Sequence, residues 1–275
     1  LRQKYRCRLA CLLGPMERTP EMILDATLSA IVSGGSSGLG AAAAAMLAAR
    51  GAKVTIIDLN QETGSAHAAA IGGVFALANV ADEQSVTRAL DIAEKAHGVA
   101  RILVNCAGVA PAIKTVGKNN VPHGLEAFRQ TVEINLIGTF NVTAQFAARL
   151  CSADPIGEER GIVVNTASIA AYDGQVGQAA YAASKSGVVG MTLPIARDLA
   201  PHRIRVVTIA PGIFLTPMLR GLPQPAQDSL GGQVPHPSRL GRPEEFAQLI
   251  EAIIANPMLN GETIRLDGAL RMPAR

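Results

Sequence analysis

The strongest constraint on what this chain can become lies between residues 28 and 58. There an apolar run, a glycine-rich turn, an alanine-rich stretch of helical length and a second apolar run follow one another. Leu28-Ser29-Ala30-Ile31-Val32 reads as a buried strand and enters Ser33-Gly34-Gly35-Ser36-Ser37-Gly38-Leu39-Gly40, after which a helix continues through Arg50. Glycines at 34, 38 and 40 permit a tight turn that brings backbone N–H groups and a helix N-terminus against a pyrophosphate. The following strand, Lys53-Val54-Thr55-Ile56-Ile57, ends in Asp58. A carboxylate there accepts hydrogen bonds from an adenosine ribose and repels a 2′-phosphate, so NAD is favoured over NADP. A glycine trio alone is weak evidence; its strand–turn–helix–strand context is what gives it weight.

The same alternation recurs along the chain. Helices are expected over 61–71, 82–97, 125–150, a stretch around Tyr181, and 243–255, and strands over 74–78, 102–104, 161–167, 203–209 and 262–266. This predicts an α/β chain: a single Rossmann-type doubly wound domain over 21–275, its seven-stranded parallel sheet flanked by helices on both faces. With 48% apolar composition, 275 residues can bury one large core. Pro194 falls inside the Tyr181 helix, where it predicts a kink or a split. The stretch 212–241 is rich in Pro and Gly with little periodicity and reads as a substrate lid.

Charge separates the first residues from the rest. Arg2, Lys4, Arg6 and Arg8 precede the first acid, Glu17; the net charge is +3, and residues 17–275 carry −1. Residues 1–20 are expected to stand outside the fold as a disordered leader left by cloning or upstream translation. The alternative is a mitochondrial transit peptide, which its basic, acid-free composition suits and its low Ser content does not. The corresponding compartments are cytoplasmic and mitochondrial matrix. A mildly acidic body with no Trp and 3% aromatics argues against nucleic-acid binding. Cys7, Cys11, Cys106 and Cys151 form no metal-ligand pattern, so no metal is expected. No apolar run is long enough to span a bilayer.

The chemistry-bearing residues gather after the apolar run 161–167. Ser168 ends that strand, where open α/β sheets bind ligands. Tyr181 and Lys185, four apart in helix-favouring sequence, share one helix face. An unperturbed Tyr titrates near ~10, and a neighbouring ammonium lowers that value, which suits the phenol to general acid or base work. Ser168 and Tyr181 together could hold a carbonyl oxygen while hydride moves at its carbon. Tyr-x-x-x-Lys by itself also arises by chance. Asn79 suits either an adenine edge or a strand-end turn. Asn105-Cys106-Ala107-Gly108 offers small residues for close approach to a cofactor, with Cys106 read as packing rather than nucleophile. Asn135 and Gly138 breach a helix interior, as functional sites do. The long 109–124 loop forms part of a rim; its Lys114 and Lys118 meet solvent or an anionic substrate tail.

Ser33-Gly34-x-x-x-Gly38-x-Gly40, Asn105-Cys106-Ala107-Gly108, Asn135, Ser168, Tyr181-x-x-x-Lys185 and Pro211-Gly212, in this order, resemble the short-chain dehydrogenase/reductase family over nearly all of residues 25–270. Within it, segments 174–181, 190–201 and 260–269 are similar to the subgroup that oxidises short 3-hydroxyacyl-CoA thioesters. Ser33 stands where Thr is usual, Asn79 where Asp is usual, and Cys106 where Asn is common. The resemblance implies Tyr181 as acid/base, Lys185 lowering its pKa and holding the nicotinamide ribose, Ser168 on the substrate oxygen and Asn135 keeping a water in a proton relay. It also implies Gly34, Ser37, Gly38, Leu39, Gly40, Asp58, Asn79, Val80, Cys106, Ala107, Gly108, Phe214 and Thr216 along NAD. Gln175 would face the substrate, and the assembly would be a homotetramer. The other readings are a hydroxysteroid or other secondary-alcohol dehydrogenase, and a nucleotide-binding scaffold subunit.

Overall fold

A computed structural model of the protein describes residues 22–274; the predicted leader, 1–20, lies outside them. The elements in chain order are β1 (Ser29–Ser33), α1 (Gly38–Ala49), β2 (Lys53–Asp58), α2 (Gln61–Ala70), β3 (Val74–Leu77), α3 (Glu83–His97) and β4 (Ile102–Asn105). After a long loop come α4 (Leu125–Val132), a π-helical turn (Glu133–Ile137), α5 (Gly138–Leu150), β5 (Gly161–Thr166), α6 (Ala179–Leu199) and β6 (Ile204–Pro211). Short helices α7 (Pro217–Arg220) and α8 (Gln224–Gly231) lead to α9 (Pro243–Ala255) and β7 (Thr263–Leu266).

All seven strands are parallel, in the order β3-β2-β1-β4-β5-β6-β7. Strand side chains alternate between two cores, as period-2 geometry requires. Ala30, Val32, Val54, Ile56, Ile102, Val104, Ile162, Val164, Val207 and Ile209 pack with Leu47 of α1 and Phe246 and Ile250 of α9. Ile31, Ile57, Leu103, Val163 and Val206 face α3 and α5 through Leu90, Phe146 and Leu150. Both faces are therefore dry, which is why the strands read as continuous apolar runs. The strand order reverses between β1 and β4, so a crevice opens above the carboxyl ends of those strands, where such sheets hold ligands.

Of the kink or split predicted at Pro194, the split does not occur: α6 is one helix through it. The 212–241 stretch holds α7 and α8 and closes on itself through the Phe214–Gly241 bridge, because Pro at the first turn of a helix removes an N–H that has no intrahelical partner anyway. The predicted N-cap at Asp82 is present: its carboxylate accepts from Ser85 N–H at 2.5 Å.

Candidate active site

The glycine turn is shaped by contacts that no Cβ could survive. Gly34 has φ +67° and lies against the backbone of Cys106 and Ala107, while Gly40 packs on the Gly34 carbonyl. Gly38, at φ +56°, faces Thr216 and Pro217, so the start of α7 rests on the turn. Ser37 precedes α1 without a side-chain capping bond, and the first-turn N–H groups, including that of Leu39, are left to an outside acceptor. Asp58 closes this end: its carboxylate accepts from Ser36 N–H at 3.1 Å, Ser36 Oγ at 2.5 Å and Asn60 N–H at 3.0 Å. Helix N-terminus, close backbone approach and a fixed carboxylate together fit a dinucleotide. Asn79 is exposed, and its Oδ1 accepts from Ala81 N–H at 3.1 Å, the turn geometry its residue type favours. Val80 is buried beneath Gly138, whose missing side chain leaves room for it.

The second group sits at the ends of β4 and β5. Ser168 follows β5, where its Oγ accepts from Ala170 N–H at 3.1 Å and stands near enough to the Tyr181 hydroxyl to lower its pKa. Lys185, 5% exposed, donates to the Thr166 carbonyl at 2.7 Å. Asn135, fully buried in the π turn, donates through Nδ2 to the Val109 carbonyl (2.8 Å) and Ser184 Oγ (3.0 Å) and accepts from Val109 N–H (2.8 Å). Gly108 passes between them, with no room for more than hydrogen before Asn135 Oδ1. Thus Ser168, Tyr181, Lys185, Asn135, Gly108 and Cys106 form one contiguous wall above the sheet.

Three groups of predicted site residues make the following contacts. Burial pushes Tyr181, one helical turn before Lys185, above its ordinary value, and the Ser168 hydroxyl pulls it back. The i,i+4 spacing does put both on one face, but the lysine stem turns toward the strand end and anchors on Thr166. Burial in turn holds Lys185 down to about 8, partly offset by the Cys106 sulfur. The Asn135 side chain is spent on clamping Val109, and its backbone carbonyl accepts Thr139 Oγ1 at 2.7 Å, so its groups fix the loop after β4. Finally, Gln175 Nε2 turns to the Pro273 carbonyl at 3.1 Å, and the Phe214 ring is buried against Gly241 in the core. Cys106 behaves as expected of a packing residue: burial pushes its thiol up to about 11, and Sγ lies 3.3 Å from Thr166 Oγ1.

Beneath this wall runs a polar row that sequence reading missed. Ser33, Asn105, Asn165 and Thr208 occupy register-matched positions on β1, β4, β5 and β6. Ser33 Oγ donates to Asn105 Oδ1 (3.0 Å), and Asn105 Nδ2 donates to Thr143 Oγ1 (3.0 Å) and Asn165 Oδ1 (2.9 Å). Thr208 pairs with Thr192 of α6 at 2.6 Å. Such a row ties neighbouring strand ends to one another, although Asn165 Nδ2 is left without a partner. The signal was present: a polar residue near the end of each consecutive apolar run.

Comparison with known proteins gives a consistent picture. Residues 29–227 match the family model described as short chain dehydrogenase. The chain is 53% identical over 249 residues to 3-hydroxyacyl-CoA dehydrogenase type-2 of Rattus norvegicus, covering 89% of this chain and 95% of that protein. It is 51% identical over 246 residues to the protein of the same name from Drosophila melanogaster, covering 88% and 96% respectively. The crystal structure of 3-hydroxyacyl-CoA dehydrogenase type-2 from Mycobacterium avium superposes with a TM-score of 0.87 at 42% identity, over 90% of this chain and 98% of that one.

Proposed function

This chain belongs to the short-chain dehydrogenase family, and from that premise we propose that it oxidises short-chain (S)-3-hydroxyacyl-CoA thioesters to 3-oxoacyl-CoA with NAD, and catalyses the reverse reduction. The family uses NAD or NADP; the Asp58 carboxylate, held by Ser36 and Asn60 at the tip of β2, is the feature that favours NAD. The observation that carries the reaction is the Ser168 and Tyr181 hydroxyls brought together beyond β5, with Lys185 of the same helix anchored on the Thr166 carbonyl.

When bound, the nicotinamide ring supplies the acceptor for the hydride leaving the carbinol carbon. The chain's own part is positional and protonic. Ser168 donates a hydrogen bond to the substrate oxygen and orients the Tyr181 hydroxyl toward it. Tyr181, its phenolate favoured by the Lys185 ammonium one helical turn away, takes the alcohol proton while the C–O bond gains its double-bond character; in reduction it returns that proton. Lys185 presents its ammonium as a compact charge near Gly108, where it suits a ribose hydroxyl pair. Asn135 holds Val109 and thereby the floor of the crevice. The same reading gives a homotetramer, supported by the exposed apolar residues Ile137, Phe140 and Leu193 around α5 and α6.

The test follows absorbance of NADH with purified protein, NAD and a short 3-hydroxyacyl-CoA, with NADP as paired control and a hydroxysteroid as competing substrate. Turnover of the thioester with NAD is the expected result. Reduction of NAD by the steroid alone transfers the assignment to a steroid alcohol, and no reduction with either removes both.

A further inference from the structure

The C-terminal segment closes over the stretch that joins Ser168 to Tyr181, and one side chain holds the closure together. Arg265, at the end of β7, donates from Nε to Asp267 Oδ2 at 2.7 Å and from Nη2 to Asp173 Oδ2 at 2.8 Å and the Leu270 carbonyl at 2.9 Å. Its guanidinium lies 5.0 Å from the centre of the Tyr172 ring. Beyond it the tail stays on the same loop: Val176 N–H donates to the Ala274 carbonyl at 3.1 Å, and Gln175 Nε2 to the Pro273 carbonyl. Leu270 is buried with Ile169, the residue after Ser168, and with Val234 of the lid.

We infer that Arg265 is a positioning residue for the substrate side of the site. Its fork joins loop 172–178 and tail 267–274 into one wall, against which the substrate's acyl chain is aligned with Ser168 and Tyr181. The inference rests on the thioester reading above. A planar guanidinium serves three acceptors and lies on an aromatic face at once, which an ammonium cannot do. The Arg265 side chain is 21% exposed and that of Asp267 7%, so the cluster is largely shielded from water and holds its geometry. Its effect is on geometry, where small displacements of a positioning wall are costly. The dinucleotide half, on β1 and β2, lies several strands away from β7 and keeps its own contacts.

Hydrogen exchange and steady-state kinetics on Arg265→Met, Arg265→Lys and Asp173→Asn test this. Arg265→Met should speed exchange at the 172–178 amides and raise KM for the thioester roughly tenfold, with KM for NAD and exchange around Ser36 unchanged. Arg265→Lys should recover part of both. Asp173→Asn leaves the Arg265–Asp267 pair intact and carries the test if Arg265→Met fails to fold. Unaltered exchange at 172–178 in the folded variants overturns the inference, as does a thioester KM that stays put or rises only in step with that for NAD. A wild type inert toward thioesters counts against the substrate reading instead, while the exchange rates still decide whether Arg265 anchors the loop.

Discussion

Arg205 and Lys185 are each 5% exposed, at opposite ends of the same sheet, and they bury their charge in opposite ways. Arg205, near the start of β6, pairs with Glu159 at 2.6 Å and donates to the carbonyls of Ile253, Ile254, Asn256 and Leu259. It closes the C-terminal end of α9, whose last carbonyls have no helical partners. Lys185, at the crevice, leans on one backbone carbonyl and has its pKa depressed to about 8. A saturated fork is a fastener; a point charge with spare donors is available for chemistry. The lower end of the sheet is thus satisfied internally, and the upper end is kept short of partners at a cost in stability.

The sharpest way to break this contrast is at Tyr181. Tyr181→Phe removes the hydroxyl while leaving the glycine turn untouched, and should lower turnover by ~10²–10⁴-fold with NAD binding retained. NADH-linked rates and calorimetric titration of NAD check it, and full activity in the variant would end the acid/base assignment. At the lower end, Arg205→Met strands Glu159 and frees four carbonyls. It should cost about 3–5 kcal/mol in urea unfolding, yet leave KM values of the folded fraction unchanged. A KM effect there would mean that the two ends are not independent.

Lys185 gives the pH test. Its folded value, about 8, lies below the ordinary 10.5, so between these values the unfolded chain binds more protons and stability rises with pH. The full swing is about 3 kcal/mol. Tyr181 and Cys106, both raised, act in the opposite sense at high pH. The difference between wild type and Lys185→Met therefore carries the result: the wild type should gain on the variant from pH 8 to 10. A constant gap in urea midpoints would refute the buried charge. Smallest in effect, Asp58→Ala should narrow the preference for NAD over NADP by roughly tenfold, read as the ratio of kcat/KM values. An unchanged ratio would place cofactor choice elsewhere.

Periodicity and punctuation revealed the strands because each is buried on both faces; boundaries came out within two residues, as with β6, which runs on through Pro211. The residues that face the crevice were also legible, since Ser, Asn, Tyr and Lys in apolar or alanine-rich surroundings break the local pattern. Arg205 and Arg265 were not. Each is one charged residue in a strand of ordinary composition, and its meaning depends on a distant carboxylate, Glu159 for Arg205 and Asp173 for Arg265, 46 and 92 residues away.

By itself, then, the order of residues determined the parallel sheet, the glycine turn and the kinds of side chain available at the crevice, because those depend on local sterics and on which faces must leave water. Tertiary structure alone decided where each polar group spends its hydrogen bonds. It turned Lys185 toward Thr166, committed Asn135 to Val109 and sent Gln175 to the C-terminal tail. Spacing along a helix specifies a direction; only packing specifies which acceptor is waiting there.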